Sequence, residues 1–60
     1  MAIDVYRVTE TNVIFRHELG GHFFRFYRWD GTHLINESTG VDIKPVTRVY
    51  AECMDVLSRL

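Results

Sequence analysis

Apolar and polar residues alternate through the first two thirds of this chain, then settle into a three-and-four spacing near its end. Alternation puts successive side chains on opposite faces of a strand, and the longer period draws one stripe along a helix. Ile3–Thr9 holds Val5, Tyr6, Val8 and Thr9, all strand formers. Polar residues follow, with Asn12 suited to a turn. The pattern then predicts strands over Val13–Leu19, His22–Trp29 and Thr32–Asn36, separated by Gly20-Gly21 and Asp30-Gly31. Both dipeptides are strong hairpin signals, because a type I′ turn needs positive φ at its two central residues. Glu37–Gly40 reads as a further turn and Val41-Asp42-Ile43 as a candidate fifth strand. From Pro45 the spacing predicts a helix to about residue 59. Its stripe is Val46, Val49, Tyr50, Cys53, Val56, Leu57 and Leu60, and Pro45 suits its first position. Arg48 with Glu52, and Asp55 with Arg59, stand four apart on the polar side. The predicted fold class is α+β: a small antiparallel sheet of four or five short strands with one C-terminal amphipathic helix across one face.

A two-residue turn at Gly20-Gly21 sets a register. Leu19 then opposes His22, Arg16 opposes Arg25 and Phe15 opposes Phe26. Opposed residues share a face. One face collects Val13, Phe15, His17, Leu19, Phe24, Phe26 and Ile35, and this is the expected core. The other collects Ile14, Arg16, Glu18, Phe23, Arg25, Tyr27, Trp29 and Leu34. Two opposed arginines among aromatics suggest a binding surface with an anionic group between them, and Glu18 sits diagonally from Arg25. The candidate partner-binding residues are Arg16, Phe23, Arg25, Tyr27 and Trp29. The structural alternative is a curled barrel with both faces covered, in which Tyr27 and Trp29 belong to the core.

Length sharpens the picture. A chain of 60 residues is expected to form one small domain that buries only about 60% of its unfolded surface. Cys53 is the single cysteine, so no internal disulfide can reinforce it, and a homodimer becomes a natural remedy. Six of the seven basic residues are arginine, a residue favoured at interfaces, yet the net charge is −1. That balance speaks against coating nucleic acid by bulk charge. No basic-then-apolar leader opens the sequence, and no apolar run approaches the ~20 residues of a membrane helix. With one free thiol, a cytoplasmic setting is expected.

Candidate chemistry adds little. His17, His22 and His33 match no zinc spacing, and no metal or cofactor is expected. Cys53 lies in the middle of the helical stripe, where a cysteine behaves as a small hydrophobe rather than a nucleophile. No carboxylate pair is set up, so enzyme activity is not expected. The expected function is a non-catalytic protein-interaction module, a small regulator or inhibitor of a larger protein machine of the phage or mobile-element type. The alternative is nucleic-acid binding by the same face, with arginines on phosphates and aromatics stacking bases.

Overall fold

The computed structural model describes residues 2–60. Four strands, β1 (Ala2–Val8), β2 (Val13–Gly20), β3 (Phe23–Trp29) and β4 (Leu34–Asn36), are followed by helix α1 (Arg48–Ser58). The strands form one antiparallel sheet in the order β1-β2-β3-β4, and the fold is α+β. Each connection between neighbouring strands is short, so the sheet is a meander built from local contacts.

The β2–β3 register differs from the expected one by one residue. Phe15 opposes Tyr27, Arg16 opposes Phe26 and His17 opposes Arg25. The cause lies at the turn. Gly20 pairs with Phe23, which leaves Gly21 and His22 as the central residues, and the register slips between Glu18 and Gly20. Gly21 has φ +58° and His22 is not in the positive-φ region, the φ pattern of a type II′ turn rather than type I′. Gly20, at φ +117°, ends the strand beside the irregularity. One extra residue in β2 inverts the faces of β3 relative to β2. Phe24 and Phe26 therefore leave the expected core face, and Arg25, Tyr27 and Trp29 join it.

The face that results carries two clear rows, Val5–Phe15–Tyr27–Asn36 and Val8–Val13–Trp29–Leu34, flanked by Ile3–His17–Arg25. Phe15, Tyr27 and Leu34 are fully buried there against Cys53 of α1. Val49, Tyr50, Met54, Val56 and Leu57 of the helix complete the packing, and Tyr50 meets Trp29 edge-on at 6.3 Å. Leu34 thus belongs to the core, and Ile35 turns to the other face opposite Arg28.

Local chemistry sets the remaining boundaries. Asp30 does not serve as a central residue of a two-residue turn. Its Oδ1 instead accepts from Thr32 N at 2.9 Å and His33 N at 2.7 Å, closing a longer loop and delaying β4 to Leu34. Those amides hold the Asp30 carboxyl down at about 2. The candidate fifth strand is a single bridge, Ile35 to Asp42, flanked by two backbone hydrogen bonds. The helix begins later than predicted because Thr47 caps it, its Oγ1 accepting from Tyr50 N at 3.3 Å. Pro45 lies before the cap, and Val46 (90% exposed) and Leu60 fall outside the buried stripe. Both predicted helical ion pairs form, Arg48–Glu52 at 3.7 Å and Asp55–Arg59 at 3.0 Å.

Phe24 separates the observed register from the expected one, and Phe15, which faces the core in both, is its reference. Phe15→Ala empties a fully buried site and should cost about 3–5 kcal/mol, enough to abolish cooperative melting in a domain this small. Phe24→Ala, on the uncovered face, should cost about 1 kcal/mol or less. Chemical denaturation of both variants measures the difference.

Candidate functional site

The face of the sheet turned away from α1 has no covering element among the described residues. Its rows are Ala2–Glu18–Phe24, Asp4–Arg16–Phe26 and Arg7–Ile14–Arg28–Ile35. The β1 bulge at Tyr6 adds its ring to this face, edge-on to Phe26 at 5.0 Å. Tyr6, Arg7, Ile14, Phe26 and Glu37 line a shallow groove. Phe24 is 47% exposed, and Arg16 lies over its ring at 5.4 Å, a cation–π geometry. Two ion pairs edge this apolar centre, while Arg7 and Glu18 on the same face stand in neither. Arg16 Nη2 stands 3.5 Å from Asp4 Oδ2, and Arg28 Nε stands 3.5 Å from Glu37 Oε1.

The five candidate binding residues do not come together. Arg16 is on the open face. Phe23 is 76% exposed at the β2–β3 tip. Arg25 lies on the opposite face, across from His17, so no anion can bridge Arg16 and Arg25. Tyr27 is buried, and Trp29 is half-buried against Tyr50, so neither is a free aromatic anchor. The one-residue slip accounts for all three displacements. Ile14, Arg16 and Glu18 keep their expected face because they belong to β2, whose own alternation is regular there. Tyr6, Phe24, Phe26, Arg28 and Ile35 were not among the candidates. Either face of β3 looks aromatic, so alternation alone could not assign them.

The ionisable residues with the most distinctive surroundings lie on the other side, under the helix. His17 Nδ1 and the Tyr27 hydroxyl are 2.9 Å apart and buried. His17 Nε2 is buried with no hydrogen-bond partner. Desolvation lowers the His17 pKa, opposed by the charge of Glu52 and assisted by that of Arg25. Burial raises the Tyr27 phenol, which stays protonated. Burial, with help from Glu52, pushes the Cys53 thiol up to about 12. Cys53 is therefore a packing residue, held far from the thiolate form that attack requires. Among the described residues no group of three or more His, Cys, Asp and Glu is placed to hold a metal ion. No helix among them is long and apolar enough to cross a membrane.

Compared with protein-family models, curated proteins and solved structures, the chain matches none of them.

His17 makes stability depend on pH. The fold favours its neutral form, so the unfolded chain takes up a proton first as pH falls. The contribution is complete above the unfolded value of about 6.5 and is lost as pH drops toward the lower folded value. The melting temperature should fall between about pH 7 and pH 5, and His17→Gln should flatten that part of the curve while lowering stability throughout. Thermal melts across that range measure both effects.

Proposed function

We propose that this chain is a non-catalytic protein-interaction module that binds its partner through the open face of the sheet. The observation that carries the proposal is an apolar centre with no covering element among the described residues, in which Tyr6 and Phe24 are exposed and Ile14, Phe26 and Ile35 half-buried, edged by two ion pairs. An apolar middle with a polar, charged rim is the anatomy of protein interfaces. Contiguous exposed apolar surface on a small chain is costly to solubility and is commonly retained for a partner. A non-catalytic role is supported by the burial of His17 and Cys53 between the sheet and the helix, out of reach of a substrate. The free thiol of Cys53 suits a reducing, cytoplasmic setting.

Charge favours a protein over a nucleic acid. Arg16 and Arg28 each stand beside a carboxylate, and the net charge is −1. Phosphate contacts would have to displace Asp4 and Glu37.

Affinity capture with Phe24→Ala as the test variant decides the matter. The wild-type chain should retain a protein partner after nuclease treatment, with little change as salt is raised. Phe24→Ala should weaken that capture by about 2 kcal/mol, roughly thirtyfold. Capture that disappears with nuclease, or falls steeply with salt, would instead favour nucleic acid. Capture unchanged by Phe24→Ala would move the interface off this face.

A further inference from the structure

The two edges of the sheet are unequal. The β4 edge is sheltered: Asn36 N donates to Val41 O at 2.9 Å, Ile43 N donates to Leu34 O at 2.7 Å, and Ile35 bridges Asp42. The outer edge of β1 has no partner strand among the described residues. β1 is seven residues long, Ala-Ile-Asp-Val-Tyr-Arg-Val, without Pro; its charges, Asp4 and Arg7, and its bulge at Tyr6 blunt the edge toward a random strand and admit only one that complements them. Two of its apolar side chains are well exposed, Tyr6 at 55% and Val8 at 60%.

We propose that β1 pairs antiparallel with β1 of a second copy, about a two-fold axis passing between Val5 and Tyr6. Asp4 of each copy then stands opposite Arg7 of the other, and Ile3 opposite Val8. The bulge is what makes this register possible. In a regular strand residues three apart point to opposite faces and cannot oppose each other when the strand pairs with itself. Here the extra residue at Tyr6 shifts the phase. Asp4 pairs with Arg16 and Arg7 with Ile14, both on the open face. Ile3 pairs with His17 and Val8 with Val13, both on the helix face. A single two-fold register therefore matches faces at both ends of the strand. It supplies two opposite-charge pairs and two apolar pairs. Arg7 has no ion-pair partner within the copy among the described residues, so its charge is available.

The pairing is isologous and closed, because each copy has one such edge. It engages backbone groups of the β1 edge on either side of the bulge and covers Val8. It also answers the thinness of the core, where only Phe15, Tyr27, Leu34, Cys53 and His17 are fully buried among the described residues. The product is a continuous sheet twice as wide, with both helices on one side and both open faces on the other. The proposal does not rest on the open-face interface, which it borders at Asp4 and Arg7 while leaving Phe24 and Phe26 uncovered.

Charge reversal tests it by sedimentation equilibrium over a wide concentration range, with circular dichroism confirming that each variant is folded. The wild-type chain should self-associate. Arg7→Asp and Asp4→Arg alone should each weaken association about tenfold or more, because each sets like charges opposite each other twice. An equimolar mixture of the two variants should associate at least as well as wild type, since two positions of one charge then meet two of the other. A wild-type chain that stays monomeric throughout would overturn the proposal. So would association indifferent to either variant, or a mixture that fails to associate.

Discussion

The pairing of Phe15 with Tyr27 across β2 and β3 is the contact on which the rest of the structure depends. Both rings are fully buried, and both lie beneath Cys53. In so thin a core they supply most of the apolar volume that the helix can cover. Their alignment decides which face of β3 meets α1. Once Tyr27 points inward, Trp29 follows it toward Tyr50, and Phe24 and Phe26 must face the other way. The uncovered aromatic surface is thus the complement of the core, set by the same single register.

Much of this was legible in the alternation of the chain. The strand order, the meander, the C-terminal helix and its buried Cys53 follow from period and turn residues. So do the two ion pairs on the helix's polar side. The inward direction of Phe15 and His17 is also readable, because β2 has one face richer in apolar groups. What escaped is where a glycine pair places its extra residue. Gly20-Gly21 supports a type I′ turn with both glycines central, and equally a type II′ turn at Gly21-His22 with Gly20 ending the strand. The two choices differ by one residue and invert β3. Nothing in Phe23–Trp29 breaks the tie, since aromatics and arginines occupy both of its faces. The bulge at Tyr6 is similarly unmarked, as no glycine announces it. Asp30 misled for another reason: its side chain closes the loop by accepting two backbone N–H groups, which Asp-Gly as a turn dipeptide does not reveal.

Polar groups occupy both sides of the sheet but do different work. Beneath the helix, His17 and Tyr27 satisfy each other at one atom each, and the second ring nitrogen of His17 remains without a partner. That arrangement ties the fold to a neutral imidazole. On the open face, Asp4–Arg16 and Arg28–Glu37 are solvent-exposed pairs of small energetic weight. Their effect is to hold arginines beside apolar groups without leaving a net positive surface. The aromatics are divided between the core side (Phe15, Tyr27, Trp29 and Tyr50) and the open face (Tyr6, Phe24 and Phe26), and the edge strand β1 borders both.

The central claim is the register of the β2–β3 hairpin, and backbone NMR tests it most directly. Cross-strand nuclear Overhauser effects between Phe15 and Tyr27, and between His17 and Arg25, are the predicted result. Effects joining Phe15 to Phe26 and Arg16 to Arg25 as opposed pairs would contradict it, and with it the assignment of every side chain in β3 to its face.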